Sequence, residues 1–220
     1  MPVVNPLPPS PASSASSSSS SRRHASGVAL YEDAKYTRVA MLLHWAVALL
    51  MLGNVAIGQT IALLSDATLE KIDVRFWIDL HKSIGITVLG LAILRILWRV
   101  THRPPALSHV FASWERASAH LVHWLLYVLI FALPLSGWAH DSAWVAASTH
   151  PLVLFGTFPF PRMGFLMAMS DASKDYWHGV LGNVHTYCAY SLYVLLALHV
   201  GGALKHQWID RHSVLNRMLP

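Results

Sequence analysis

The stretch from Tyr176 to His206 constrains the fold most, because it is long and apolar enough to cross a bilayer and yet carries four histidines. Ionisable side chains inside a membrane span are costly and usually serve a function. His185 and His199 are fourteen positions apart. That spacing puts them about 21 Å apart along a helix and within roughly 40° of one face. One helix therefore offers two imidazoles to the same neighbours, one near each side of a membrane.

The composition agrees with a membrane protein. Of 220 residues, 54% are hydrophobic and 12% are charged, which is about half the charged fraction of a soluble domain. The formal net charge is +5, but the basic residues lie at predicted helix ends rather than in one cluster. We therefore expect membrane lipid as a partner and no nucleic acid.

Four apolar segments have about the length that a bilayer requires. They cover residues 39–64, 77–98, 118–140 and 179–204. The expected fold class is an all-α membrane protein, a four-transmembrane-helix bundle formed by residues 28–220. Residues 1–27 are rich in Pro and Ser, and such a segment buries too little apolar surface to offset its chain entropy. We expect a disordered tail there, with no cleaved signal peptide.

The distribution of Lys and Arg predicts the orientation of the spans. Acidic residues offset the basic ones in the loops after the first and third spans. The other loop and the tails are more strongly basic. Basic loops stay in the cytoplasm, so both termini are predicted to be cytoplasmic. The long outer loop from Asp141 to Trp177 contains prolines and aromatics, and we expect it to pack as a cap.

Depth counting sorts the membrane histidines into two levels. His44 and His199 lie about five residues inside the cytoplasmic ends of their spans, while His81 and His185 lie about four and six residues inside the outer ends. Two histidines at equal depth on facing helices suit a planar cofactor ligated from both faces. Haem iron accepts such imidazole ligands, and helix bundles build such sites in their cores. Zinc would require three or four ligands at one level.

Several histidines remain as alternatives. His123, near His120, has a depth comparable to that of the inner pair, so depth alone leaves it open as an inner ligand. His178 competes at the outer level. Any one of the membrane histidines could simply form a hydrogen bond to a neighbouring helix. The remaining histidines lie in predicted loops or tails and are expected to be solvated: His24, His102, His109, His140, His150 and His212.

These residues resemble the bacterial cytochrome b561 family, small four-helix di-haem membrane cytochromes, and in particular its superoxide oxidase type. The resemblance covers nearly everything from Tyr36 to Pro220. The matching stretches are YTRVAMLLHW (Tyr36–Trp45), IDLHKSIGITVLGLAILRILWR (Ile78–Arg99) with the following RPP, HLVHWLLYVLIFALPLSGW (His120–Trp138), and LHVGGALKH with the ending VLNRMLP. Residues before Tyr36 are not part of the pattern.

The resemblance implies two haem b groups with His44, His81, His185 and His199 as axial ligands, which excludes His123. The absence of a CXXCH motif agrees with non-covalent haem. Relatives often have a Trp-His pair at the outer ligand of the fourth span, whereas here that pair ends at His178, seven residues earlier. We retain His185, because His178 would lie about 31 Å from His199, nearly the whole membrane.

The resemblance also implies an oxidoreductase of the bacterial inner membrane that passes electrons from superoxide at the outer face to ubiquinone. Two axial histidines leave no open iron position, which favours electron transfer. Positive groups would attract the superoxide anion, and Lys82 and Lys174 are candidates. Around the inner haem or quinone the candidates are Arg38, Arg95, Lys205 and His206. The alternative is that Lys82 and Lys174 are ordinary lysines at the membrane interface with no part in binding superoxide. Arg95 would then simply extend its charged end to the membrane surface.

Two other functions remain at this stage. The same arrangement would serve as the cytochrome b anchor subunit of a larger respiratory dehydrogenase or hydrogenase complex. A haem-free transporter with a histidine relay is the third alternative. A visible spectrum of the purified protein separates this transporter from the other two.

Overall fold

The computed structural model describes residues 35–69, 72–103, 105 and 111–219, and four long helices dominate it. These helices are α1 (Arg38–Leu63), α3 (Val74–Thr101), α4 (Ser113–Ser142) and α6 (Asp171–Leu204). All four are long and apolar enough to cross a membrane, which confirms the predicted membrane bundle. The predicted tail, residues 1–27, lies outside the described residues.

Short elements connect and extend the long helices. Helix α2 (Asp66–Leu69) follows α1, and helix α5 (Gly164–Met167) precedes α6. Strands β1 (Val153–Leu154) and β2 (Phe158–Pro159) form an antiparallel hairpin. The remaining elements are two 3₁₀ turns, Val145–Ser148 and Leu215–Arg217, and a π-helical turn, Lys205–Ile209, that continues α6.

Polar caps explain why the helices begin before the apolar segments do. The side chains of Thr37, Asp73 and Ser170 accept hydrogen bonds from backbone N–H groups in the first turns of α1, α3 and α6. Such a cap satisfies one of the donors that a helix leaves free at its start. Helix α6 consequently starts at Asp171 rather than near residue 179, since its polar first turns extend beyond the apolar segment.

The core lies between the two predicted histidine levels. Helix α4 packs against α6, α1 packs against α3, and α3 also packs against α4. Six buried residues from all four long helices form the central cluster: Val47, Met51, Val88, Leu129, Leu133 and Leu192. Large apolar side chains such as Leu49 and Val194, 64% and 62% exposed, cover the outside. An apolar exterior of this kind is suited to lipid.

The two ends of the described chain meet at one end of the bundle. The Tyr36 backbone N–H donates to the Arg217 carbonyl at 3.1 Å, and Trp45 Nε1 donates to the Met218 carbonyl at 2.9 Å. A chain that crosses a membrane four times has both ends on the same side, as seen here. Which side of the membrane these ends face stays a prediction.

The connection between α4 and α6 packs over the opposite end of the bundle. The Phe155 N–H donates to Ser83 Oγ at 2.9 Å, and the Met163 N–H donates to Ser142 Oγ at 3.0 Å. Trp138 Nε1 donates to the Pro161 carbonyl at 2.9 Å. The expected cap is therefore present. Its bounds differ from the prediction, because Asp141 still belongs to α4 and Asp171–Trp177 already belongs to α6.

A buried carboxylate anchors this cap. Asp141, 6% exposed, accepts from Lys82 Nζ on α3 at 2.8 Å and from Arg162 Nε at 2.8 Å. The same guanidinium donates to the carbonyls of Ala147 and His150 at 2.8 and 2.6 Å. One acidic residue thus connects α3, α4 and the cap.

Candidate functional site

Four histidines face each other in two pairs inside the bundle. His81 on α3 and His185 on α6 have ring centroids 6.1 Å apart, and His44 on α1 and His199 on α6 have centroids 6.3 Å apart. Helix α6 contributes to both pairs. The pairs are those expected from the depth of each histidine within its span. The role of these four histidines as iron ligands stays a prediction.

The separation within each pair fits one metal ion between two imidazoles. Metal–nitrogen bonds of about 2 Å on opposite sides of an ion put the ring centroids about 6 Å apart. Both pairs have this separation, with rings inclined at 85° in the outer pair and 64° in the inner pair rather than stacked. The donor set and its spacing therefore suit a bis-imidazole haem at each level.

Hydrogen bonds fix the tautomer of both outer histidines. Nδ1 of His81 lies 3.0 Å from the Asn54 carbonyl oxygen, and Nδ1 of His185 lies 3.0 Å from the Leu133 carbonyl oxygen. A carbonyl only accepts, so each Nδ1 donates its proton and each Nε2 keeps a lone pair for a metal. Ser136 Oγ also lies 3.1 Å from Nδ1 of His185, and it agrees with this tautomer because the hydroxyl donates to the Leu133 carbonyl. Metal-bound histidines usually donate their other ring N–H to a carboxylate, a backbone carbonyl or water.

A glycine lies against each outer imidazole. A Cβ atom added at Gly58 on α1 would be 2.9 Å from Cε1 of His81, and one added at Gly137 on α4 would be 3.1 Å from Cε1 of His185. Any larger residue at either position would press on the ring. Sequence reasoning missed both glycines, since glycine is common in membrane helices.

At the inner level a third histidine lies close by. The ring centroid of His123 on α4 is 4.9 Å from that of His199, which is shorter than a ligand pair across a metal requires. Its Nδ1 bonds to the Ala119 carbonyl of its own helix at 2.6 Å. His123 is exposed, whereas His44 and His199 are half-buried. The geometry therefore favours His44 as the partner of His199.

His178, the alternative outer ligand, stacks on His140. The two rings are 3.8 Å apart and 17° from parallel, and each Nδ1 bonds to the backbone carbonyl of the other residue, at 2.8 and 2.9 Å. This spacing leaves no room for a metal between them. The expectation that His140 is solvated in a loop was wrong, since the helix continues past it and half-buries it.

The cations proposed for the outer side have different surroundings. Lys82 lies next to His81 in sequence, and its ammonium is bound by Asp141 at 2.8 Å and by Asp79 at 3.5 Å. Lys174 is 8% exposed. Within the described residues no carboxylate forms an ion pair with it, and it lies one turn before His178 on α6.

The candidates at the inner end fall into two groups. The Lys205 ammonium bridges Glu115 and Asp210 at 2.6 and 2.7 Å, and Nδ1 of His206 is 2.7 Å from Asp210. Lys205 thereby occupies the position between carboxylates that a metal cation would need. Its hydrogen bond holds the pKa of the Asp210 carboxyl below the usual value.

The two arginines form the other group. Arg38 is exposed in the first turn of α1. Arg95 is half-buried, and its Nε donates to the Tyr127 hydroxyl at 3.2 Å. It is also an electrostatic neighbour of both His44 and His199. Of the proposed inner cations, Arg95 therefore has the clearest relation to the inner pair.

Comparison with known proteins gives consistent matches over nearly the whole described chain. The family described as Prokaryotic cytochrome b561 matches residues 35–220. The chain is 33% identical over 187 residues to "Cytochrome b561 homolog 2" of Escherichia coli (strain K12), covering 84% of this chain and 91% of that protein. It is 26% identical over 191 residues to "Probable superoxide oxidase CybB" of Yersinia pestis, covering 84% and 96%.

A third relative is "Cytochrome b562" of Cereibacter sphaeroides, 24% identical over 189 residues and covering 86% of this chain and 97% of that protein. The matched region includes all four membrane-spanning helices and both histidine pairs. The chain belongs to the prokaryotic cytochrome b561 family of membrane cytochromes, which bind b-type haem and transfer electrons.

Proposed function

We propose that this protein is a di-haem superoxide:ubiquinone oxidoreductase of the bacterial inner membrane. The observation that carries the proposal is the pair of facing imidazoles at each of two depths, at separations of 6.1 and 6.3 Å. When bound, haem iron supplies a centre that changes oxidation state by one electron. The name of the Yersinia pestis relative supports superoxide as the donor.

The chain's own residues would hold and orient the two groups. His81 and His185 are the proposed outer ligands, kept in one tautomer by the Asn54 and Leu133 carbonyls. His44 and His199 are the proposed inner ligands, and Arg95 would neutralise a haem propionate. If these four histidines hold the two irons, they would leave no position for oxygen to bind, which would favour electron transfer over oxygen activation.

An apolar core separates the two levels. His185 and His199 are about 21 Å apart along α6, and Leu192 lies midway between them in the apolar cluster with Val88 and Leu129. An apolar layer of this kind would keep ions and protons from crossing with the electrons. With quinone bound at the inner level, as we propose, the protons for its reduction would come from the inner, aqueous end.

The overall reaction balances with two electrons. Two superoxide anions each lose one electron and become O₂, while ubiquinone takes up two electrons and two protons and becomes ubiquinol. Of the two outer lysines, Lys174 is the candidate to attract superoxide, because Lys82 is already bound to Asp141. Attraction of an anion by a fixed positive charge raises its local concentration.

The test is superoxide-dependent ubiquinol formation by the purified protein in liposomes. The unaltered protein should contain two haems and reduce ubiquinone when superoxide is generated at its outer face. His81→Ala and His199→Ala should each retain one haem and lose quinone reduction. His123→Ala, the matched control at the inner level, should retain both haems.

Two results would contradict the proposal. A protein with both haems that forms no ubiquinol from superoxide would instead be the anchor subunit of a larger dehydrogenase or hydrogenase complex. Loss of a haem in His123→Ala, with both haems retained in His44→Ala, would show that the inner pairing is wrong.

A further inference from the structure

An open cavity lies between α1, α3 and α4, at the end of the bundle where the chain's described ends meet. Together with the open solvent at its mouth it has an empty volume of about 520 Å³, and its lining includes Lys35, Arg95, Arg99 and Arg103. Within the described part of the chain, no acidic side chain lines the cavity or pairs with these four cations. Lys205 at the same end, by contrast, is bound to two carboxylates. Four cations around one cavity, without a carboxylate partner among the described residues, attract an anion.

An aromatic ring holds two of the cations side by side. The guanidinium carbons of Arg95 and Arg99 lie 5.5 and 5.3 Å from the centroid of the Tyr127 ring. The face of an aromatic ring attracts a cation. Since the two arginines are one helical turn apart and would otherwise repel each other, Tyr127 organises them before any ligand binds.

The mouth of the cavity borders the lipid-facing surface. On α3, Leu97 and Val100 are 57% and 78% exposed and flank Trp98 and Arg99, which line the cavity. On α1, Leu42 is 70% exposed and neighbours the lining residue Leu43. A ligand with an anionic head and apolar chains would contact both surfaces at once, which a free phosphate ion would not.

We propose that this cavity binds the headgroup of an anionic phospholipid such as phosphatidylglycerol. Arg99 and Arg103 contact the phosphodiester, Lys35 adds a third positive charge, and the acyl chains lie along Leu97 and Val100. Basic pockets between membrane helices bind such headgroups. Arg95 lies one turn deeper, next to the inner histidines, and is left for a haem propionate. The proposal does not depend on superoxide or ubiquinone as substrates.

The test counts tightly bound lipid on the purified holoprotein by native mass spectrometry. The probes are phosphatidylglycerol and phosphatidylcholine with matched chains, each with and without inorganic phosphate. We expect phosphatidylglycerol to be retained in preference to phosphatidylcholine. Removal of each cation should weaken its binding roughly fivefold, so the Arg99→Gln/Arg103→Gln double variant should bind it about 25-fold more weakly. Arg211→Gln removes an exposed charge outside the cavity and should change nothing.

Each other result overturns the proposal in a different way. Equal retention of phosphatidylglycerol and phosphatidylcholine would show that the cavity does not select an anionic headgroup. Competition by inorganic phosphate would indicate a site for soluble oxyanions. Loss of a haem in the double variant would assign these arginines to haem propionates. The single variant Arg103→Gln, beyond the end of α3, is a milder test if the double variant does not fold.

Discussion

At the scale of single residues, the two glycines that contact the outer imidazoles, Gly58 and Gly137, tolerate no larger side chain without moving those rings. Gly58 gives a sharp prediction, because a methyl group there would lie 2.9 Å from Cε1 of His81. Gly58→Ala should push the ring from its orientation and lower the affinity for one haem by about tenfold, the size of effect seen when ligand support is lost. The haem-to-protein ratio of the purified variant measures this.

The same helix offers a matched control. A Cβ at Gly53 would meet no atom within 4 Å, so Gly53→Ala adds the same methyl group to α1 in open space. It should retain both haems and stabilise the helix by up to about 1 kcal/mol, because alanine has the higher helix propensity. If both variants lost haem equally, or if neither lost haem, the space that Gly58 leaves for the His81 ring would not be the reason for a glycine at this position.

The histidine pairs were predictable from sequence, whereas their surroundings were not. Depth follows from a fixed rise per residue, so counting from the span ends placed His44 level with His199 and His81 level with His185. It left His123 open at the inner level, and only the family resemblance excluded that residue. The contact between Gly58 and His81 depends on how α1 is rotated against α3. In a membrane helix both the lipid face and the core face are apolar, so the pattern of apolar residues carries little information on that rotation.

At the scale of elements, one carboxylate joins α3, α4 and the cap, and its removal has a defined consequence. Asp141→Asn would leave the side chains of Lys82 and Arg162 without their anion, and Arg162 is only 7% exposed. Breaking a buried ion pair from one side costs about 3 kcal/mol. We expect a lower unfolding temperature and faster tryptic cleavage after Arg162, identified by peptide mass.

Asp79 supplies the control for this prediction. Its carboxylate is 50% exposed and 3.5 Å from the same Lys82 ammonium, and an exposed pair of this kind contributes about 0–1 kcal/mol. Asp79→Asn should leave both the unfolding temperature and the cleavage rate nearly unchanged. If Asp79→Asn were as damaging as Asp141→Asn, loss of charge near Lys82, rather than loss of the buried anchor, would be responsible.

Helix ends show a second limit of sequence reasoning at this scale. The apolar segment of α6 begins near residue 179, yet the helix starts at Asp171 because Ser170 caps it. Hydropathy reports where the lipid begins and not where helical hydrogen bonding begins. The same polar turns bring Lys174 and His178 onto the helix, so the surroundings of the outer pair could not be read from the apolar segments alone.

At the scale of the whole molecule, the four crossings place both described ends together, and the charge distribution predicts which side of the membrane they face. Among the residues that the structure describes, the end of the bundle that holds the termini carries the majority of the Lys and Arg side chains: Lys35, Arg38, Arg99, Arg103, Arg116, Lys205, Arg211 and Arg217. Basic segments are retained in the cytoplasm. The outer histidine pair would then face the periplasmic side, where superoxide is the proposed donor, and the inner pair would face the source of protons.

This orientation can be tested because Cys188 is the only cysteine. In a Cys188→Ala background, Ser148→Cys puts an exposed thiol on the cap and Ser213→Cys puts one near the C-terminus. In spheroplasts, a membrane-impermeant maleimide should label the Ser148→Cys variant directly and the Ser213→Cys variant only after permeabilisation. The reverse pattern would place the termini outside. The pair His81–His185 would then face the cytoplasm, and electrons from external superoxide would have to enter at His44 and His199.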